Sequence, residues 1–382
     1  MLPLGDGWVA AEPERDRLLV LNSTARLIWD LWQQGQDADT IAETLVARYD
    51  IDQAQAEADV RQAIADWQRP AVPSAALQDD HWPTQAQLDI QPDTNSASLV
   101  DHYRIHTTPI RVICSVPVIR DAIHPLLAHM ATSALQPATT TYHVDATADG
   151  YRLRQGLRVI YQGPSLDLAA VMLQHEAQLA AYRDNDNLCV LHAGGVARGD
   201  QCILMPGIAG AGKSTLTAAL LHSGLDYLSD DTVPISAASG YAIPLTPPLC
   251  IKAGSIGALR GHYPLLASQR VYQRTDQRVR YLAPPAASLA GRHERQVLAL
   301  IFPQYQPGSE ARLNEIPPTQ AFAWLVEAGI FAHRPRDPAR LAALVNWFDG
   351  LRSYRLQYDD LDDACRRVHE AFNTRMRSSV PL

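Results

Sequence analysis

The chain has 382 residues, of which 47% are hydrophobic and 19% charged, and a formal net charge of −8. That length admits two or three domains, and that balance suits packed globular structure and excludes wholesale disorder. The acidic excess argues against a nucleic-acid partner, which calls for a basic stripe, and the five scattered cysteines (Cys114, Cys189, Cys202, Cys250, Cys365) form no C-x-x-C pair, so they read as free thiols of a reducing compartment, not a zinc site or disulfide framework.

The segment from Met1 to Asp6 has no basic region followed by an apolar stretch, so no secretory signal is expected. No run approaches the roughly 18 apolar residues of a membrane helix, and the expectation is a cytoplasmic protein with no membrane partner. Trp8 to Ala10 and Leu18 to Leu21 predict short strands around a polar turn. Asn22 to Thr24 offers a helix cap ahead of Ala25, Leu27, Ile28, Leu31 and Trp32 at helical spacing, with Gly35 as the stop. A second helix carries Ile41, Leu45 and Tyr49, and a third, from Asp52, carries Ala56, Val60, Ile64 and Trp67. Short strands followed by three short helices predict a winged-helix-like α+β module over residues 1–70. Residues 71–98, rich in Pro, Gln and Asp, read as a semi-extended linker.

From residue 99 to 370 the signals turn to α/β, with a C-terminal tail from 371 to 382. Arg111 to Val116 and Leu157 to Tyr161 predict strands, Ser165 to Asp184 a helix, and strand and helix alternate after Leu188. The strongest single signal lies here: Gly207, Gly212, Lys213 and Ser214 fit G-x-x-x-x-G-K-[ST], with a strand before it (Cys202 to Met205) and a helix after it (Leu216 to His222). Glycines at Gly207, Gly210 and Gly212, with Ala211 between, let successive backbone N–H groups turn inward around phosphate oxygens, and the helix N-terminus favours their charge. Lys213 then neutralises the β- and γ-phosphates, Ser214 ligates Mg²⁺, and Thr215 continues the cradle. The expected cofactors are ATP, with GTP left open, and Mg²⁺.

A P-loop names no reaction by itself. Asp230 and Asp231 follow the P-loop helix almost at once, and two adjacent carboxylates require a cation nearby. One can hold metal while the other accepts a hydroxyl proton. His192 sits on the preceding strand beside a Gly pair. The stretch Ser288 to Gln296 faintly resembles a transporter-ATPase signature, but the strand after it, Val297 to Phe302, ends in Pro303 and Gln304 and supplies no metal acid.

At His192, the loop 207–215 and the Asp230–Asp231 pair the chain resembles the HPr kinase/phosphorylase family, and Ser353 to Ala364 is similar to the C-terminal strand and helix of related proteins. The resemblance implies an α/β P-loop kinase domain in which Asp230 is the base, His192 orients it, and Asp231 with Ser214 holds Mg²⁺, an assignment whose two aspartates are interchangeable at this level. HPr kinases carry a downstream Glu-x-Arg-Gly stretch; the nearest segment here puts Cys250 at the acid and Lys252 at the arginine. That leaves one metal ligand unaccounted for, puts a reverse phosphorylase reaction in doubt, and leaves Lys252 as a point charge toward phosphate. HPr kinases form hexamers, so a homo-oligomer is left open.

The first region resembles the PqqD-like peptide-recognition domains through Leu21, Asn22, Ala25, Ile28 and Trp29, the run Ile41 to Tyr49, and Asp59, Val60 and Ile64. The resemblance implies that the leader of a ribosomally made precursor peptide adds as a strand to the edge formed by Leu18, Leu19, Val20 and Leu21 and packs on the third helix at Val60 and Ile64. A DNA-binding winged helix fits poorly, because that helix carries Glu57, Asp59 and Asp66 against Arg61 and Arg69. The combined expectation is a kinase that phosphorylates a Ser or Thr hydroxyl of a leader-held peptide. An ATP-dependent peptide chaperone and a kinase of a small-molecule hydroxyl are the alternatives.

Overall fold

The computed structural model describes residues 1–12, 17–69, 98–133, 140–183, 185–275, 277–289, 291, 293–332 and 337–376. The expected linker at 71–98 lies outside the described residues apart from its last one.

The N-terminal module opens with β1 (Leu2–Leu4), β2 (Gly7–Glu12) and β3 (Arg17–Leu21), an antiparallel meander with β3 at one edge. Three helices follow: α1 (Ser23–Gln33), α2 (Ala38–Tyr49) and α3 (Gln53–Gln68). Each starts at a side-chain cap. Asn22 accepts from the Ala25 N–H at 2.8 Å, Asp37 from Thr40 at 2.8 Å, and Asp52 from Ala54 at 2.9 Å; such caps are worth about 1 kcal/mol each. The alternation of a strand splits the sheet's two faces. Ala10, Leu19 and Leu21 point to the helices and share a core with Ile28, Ile41, Leu45 and Val60. Val9, Leu18 and Val20 point the other way, with Leu4, into the core of the C-terminal half.

The next unit is a five-stranded sheet in sequential order: β4 (Leu99–Ile105), β5 (Thr108–Cys114), β6 (Thr140–Thr147), β7 (Gly150–Gln155) and β8 (Arg158–Gly163). Only β5 and β6 run parallel, and helix α4 (Pro117–Leu127) makes that crossover. Helix α5 (Leu166–Tyr182), capped by Ser165, packs on the same core through Ala170, Leu173, Ala177 and Ala181. The α/β region expected as one domain therefore carries two separate large sheets.

The second large sheet holds the glycine-rich loop. Its strands are β9 (Asn187–Arg198), β10 (Gln201–Pro206), β11 (Asp226–Ser229), β12 (Thr232–Ser236), β16 (Gln296–Tyr305), β17 (Arg312–Glu315), β18 (Ile330–Ala332) and β19 (Arg352–Tyr358). A small separate sheet comprises β13 (Leu249–Lys252), β14 (Val271–Gln273) and β15 (Arg278–Leu282). Helices α6 (Lys213–His222), α7 (Pro318–Ala328), α8 (Pro338–Asp349) and α9 (Leu361–Met376) complete the chain. The predicted tail boundary at 371 falls inside α9, whose apolar face through Ala364, Val368 and Phe372 keeps it packed past that point. Strands β10, β16 and β19 run parallel, so the loop after β10 lies at their carboxyl end, where α/β sheets bind ligands. Strand β9 is long enough to pair β12 and β18 through its first half and β10 and β11 through its second.

The module is docked on this half. Thr319 donates its N–H (3.2 Å) and its hydroxyl (2.7 Å) to Asp6, and the Gly5 N–H donates to Asp349 at 2.9 Å. Leu4 and Val9 are fully buried against it; burial of a side chain of this size contributes about 1.5–3 kcal/mol. Among the described residues, no helix is long and apolar enough to cross a membrane.

Candidate active site

Strand β10 ends at Pro206 and the chain turns through Gly207 to Gly212 into α6. Two glycines in the turn have positive φ, Gly210 at +90° and Gly212 at +93°. At Gly212 a Cβ would come within 2.5 Å of the Tyr358 hydroxyl, so both backbone angle and space require glycine. The Ala211 N–H donates to the Ile208 carbonyl at 3.2 Å and closes the turn. No side chain caps α6. Its first-turn N–H groups and dipole form the kind of end that receives an anion. Lys213 is buried and folds back so that Nζ donates to the carbonyls of Gly207 and Ile208. Burial pushes its pKa down, Asp231 and Asp230 oppose that shift, and Lys252 adds to it.

The two aspartates sit on the turn between β11 and β12 and differ in every respect that matters to chemistry. Asp230 is 3% exposed. Its Oδ2 accepts the Cys250 N–H at 2.9 Å, while its Oδ1 is buried with no hydrogen-bond partner among the described residues. Burial raises its pKa to about 7, with Asp231 contributing; the Cys250 N–H, the Ser214 hydroxyl and Lys213 pull the other way. The Asp231 side chain is 56% exposed, and its Oδ1 lies 3.2 Å from His192 Nδ1. Enclosure by the surrounding walls works against its charge, but the His192 ring, with His175 and Lys213, outweighs that and holds its pKa down at about 2. His192 itself is fixed from β9, its backbone N–H bonded to the Gly329 carbonyl at 2.8 Å.

This geometry pairs the residues differently from the assignment that joined His192 to Asp230. His192 pairs with Asp231, not with Asp230, and the carboxyl beside Ser214 is Asp230, not Asp231. The reason lies in β13: its backbone supplies the Cys250 N–H that turns Asp230 inward, which leaves Asp231 to the histidine. An orphaned carboxylate oxygen beside a serine hydroxyl suits a hard cation that completes its shell with water and phosphate oxygens. Mg²⁺ therefore fits Asp230 and Ser214. Among the described residues no group of three or more His, Cys, Asp or Glu could hold a metal alone.

A cavity of about 690 Å³ joins these groups. Gly210, Gly212, Lys213, Ser214 and Thr215 form one side, with Asp230, Asp231 and His192 beside them. Gly207 acts through its carbonyl on Lys213, and Ala211 shapes the loop without facing the cavity. The small sheet contributes Cys250, Lys252 and Tyr281, and the turn after β14 contributes Arg274. Cys250 takes the place where the resemblance calls for an acid; burial pushes its thiol up to about 11, so it stays protonated, and Arg274 reaches its sulfur at 3.8 Å. Thr215 is tied to Ser255, hydroxyl to hydroxyl, at 2.7 Å. A further wall is α5, with Leu168, Val171, Met172, Gln174, His175, Glu176 and Gln178. Neither Arg274 nor any residue of α5 was anticipated. The available signal was Gln174 and Gln178, four residues apart in a run otherwise rich in Leu and Ala.

The predicted peptide edge is realised differently in its side chains. Leu19 and Leu21 belong to the module's own core, with Val60 fully buried and Ile64 partly so. Leu18 and Val20 pack toward the C-terminal half. Leu19 and Leu21 are buried and Leu18 and Val20 partly so, and β3 also presents the backbone of an edge strand.

Residues 7–70 match the PqqD family, described as coenzyme PQQ synthesis protein D. That match bears out the resemblance of the N-terminal module. No curated protein matches the chain. Among solved structures, the HPr(Ser) kinase/phosphatase from Coxiella burnetii aligns over 50% of this chain and 99% of its own, at 13% identity and a TM-score of 0.24. An alignment at that score fixes neither fold nor function, and the C-terminal half stands on its own residues.

Proposed function

We propose that the chain is an ATP-dependent kinase that phosphorylates a Ser or Thr hydroxyl of a ribosomally synthesised precursor peptide held through its leader by the N-terminal module. The observation that carries this reading is the meeting of Lys213, the Asp230–Ser214 pair and the Asp231–His192 pair in one open cavity at the N-terminus of α6. The PqqD match supports the peptide as partner.

In this reading the loop amides and Lys213 hold the triphosphate, and Ser214 and Asp230 hold Mg²⁺. When bound, Mg²⁺ supplies charge neutralisation across the β- and γ-phosphates. His192 fixes the rotamer of Asp231 so that one carboxylate oxygen faces the acceptor. As the hydroxyl oxygen bonds to the γ-phosphorus and the bond to the β-phosphate oxygen breaks, the hydroxyl proton passes to Asp231 and ADP leaves. A carboxylate this acidic is a weak base, but phosphoryl transfer through a loose transition state demands little basicity early on; positioning and charge carry most of the rate.

The test is incubation of the full chain with Mg-ATP and candidate precursor peptides from neighbouring reading frames, followed by mass spectrometry. A phosphate adduct on a Ser or Thr is the expected result. Free phosphate with unmodified peptide would favour the chaperone reading, for which the protonated thiol of Cys250 in place of an acid is the supporting observation.

A further inference from the structure

We propose that the cavity-facing side of α5 is the subsite for the acceptor segment, with Gln178 donating a hydrogen bond to a carbonyl of that segment; this rests on the kinase reading above. Leu168, Val171, Met172, His175 and Gln178 recur at the three- and four-residue spacing that brings side chains onto one side of a helix. Ala170, Leu173, Ala177 and Ala181 are committed to the core under the five-stranded sheet, and Val171 and Met172 lie at its margin, touching both core and cavity. Gln178 is only 5% exposed, and its Nε2 has no hydrogen-bond partner among the described residues. A buried primary amide in that state is costly unless something in the cavity accepts from it. A peptide carbonyl is the matching group.

The position of α5 favours acceptor over nucleotide. A triphosphate on this loop has its γ end at Lys213 and runs back along the first turn of α6, so its nucleoside lies beyond that turn. The α5 wall meets the other end: His175 lines the same cavity as Lys213, His192 and Asp231. The wall is also nearly free of charge. Its one carboxylate, Glu176, is bound to the Arg158 guanidinium through two contacts of 2.9 and 3.0 Å. Leu168, Val171 and Met172 are therefore suited to an uncharged stretch with small apolar neighbours around the hydroxyl, not to an acidic or already phosphorylated one.

The experiment uses the full chain, Mg-ATP and two synthetic pools of leaderless Ser/Thr peptides at high concentration, one flanked by Ala, Val and Leu and one by Asp. Phosphate incorporation is read by mass spectrometry, together with KM for peptide and for ATP. Wild type is expected to prefer the apolar pool. Gln178→Leu should raise the peptide KM by roughly five- to tenfold, the worth of one neutral hydrogen bond, with kcat and the ATP KM unchanged. Leu168→Trp, which fills the wall from outside that core and ten residues before the amide, should raise the peptide KM at least as much. A rise in the ATP KM instead would place the nucleoside on α5 and overturn the inference, as would an active enzyme indifferent to both substitutions. A wild-type protein that phosphorylates neither these pools nor any leader-bearing precursor brings down the kinase reading itself, and the subsite with it.

Discussion

The N-terminal module and the glycine-loop half differ in what they leave facing outward. In the module the side chains of Leu18, Leu19, Val20 and Leu21 are buried or partly buried in the fold, two in each of two cores, and β3 also presents main chain at its edge. In the cavity the free N–H groups at the start of α6 are joined by converging side chains: Lys213, Ser214, Asp230, Asp231 and His192. A site made of backbone tolerates many sequences and gains selectivity from register and neighbouring pockets. A site made of side chains fails at one substitution. If that contrast holds, substitutions should divide into those that destroy chemistry with peptide capture intact and those that do the reverse.

The largest effect is expected at Lys213. Lys213→Ala removes the one buried ammonium facing the loop, and phosphoryl transfer should be abolished. Leader affinity, measured by titration of a labelled leader peptide, should not move. Retained turnover would sink the P-loop assignment, whereas lost leader binding would mean that the two halves are not separable.

Next comes the aspartate pair, where the structure makes a sharper statement than the sequence could. Asp231→Asn should lower kcat by about 10²–10⁴-fold, the usual worth of a positioned general base. Asp230→Asn should chiefly raise the Mg²⁺ concentration needed for half-maximal rate. The opposite pattern would return the base to Asp230. The loop, the acid pair and His192 were legible in the sequence because each is a local pattern: glycine spacing, adjacency, a strand before a turn. Which acid meets His192 was not, because it is decided by the Cys250 N–H on β13, twenty positions away along the chain, and that backbone contact leaves no mark in residue identity. The α5 wall was hidden for a related reason. The helix itself was predicted from Ser165 onward, but its cavity side acquires meaning only when the helix packs on the five-stranded sheet and shares a cavity with the glycine loop.

Removing the leader from the substrate should cost less than removing the base. If the module raises the local concentration of the core segment, the leaderless peptide should lose about 10²-fold in kcat/KM, carried in KM, since avidity gains of this kind begin near that size. Equal kcat/KM for both peptides would make the module an assembly or stability element. Such an element is not excluded by its fold, since the module has more than a tether to hold it. The sequence reads residues 71–98 as a semi-extended linker between the two parts. The contacts of Gly5, Asp6, Leu4 and Val9 with the C-terminal half instead give the β3 edge a defined place relative to the cavity.

The smallest effect isolates that docking. Asp6 accepts the Thr319 N–H and hydroxyl at the first turn of α7, where a negative charge also meets the helix dipole favourably. Burial is the largest single influence and opposes its charge, but the Thr319 hydroxyl and N–H together prevail and its pKa lies below the usual carboxylate value. A carboxyl with a depressed folded-state pKa stabilises the fold above its unfolded value of 3.8 and loses that contribution as pH falls through the folded value. Because Asp6 lies at the surface, Asp6→Ala should cost only about 1 kcal/mol or less near neutral pH, after discounting for solvent screening. The difference between variant and wild type in thermal or denaturant unfolding should shrink below pH 3.8. Loss of Asp6 should also loosen the module, and here the two halves of the contrast meet. If the β3 edge works as a docked element, the variant should keep wild-type kcat on leaderless peptide yet lose part of the advantage that the leader confers. If the module works as a free tether, that advantage should be untouched.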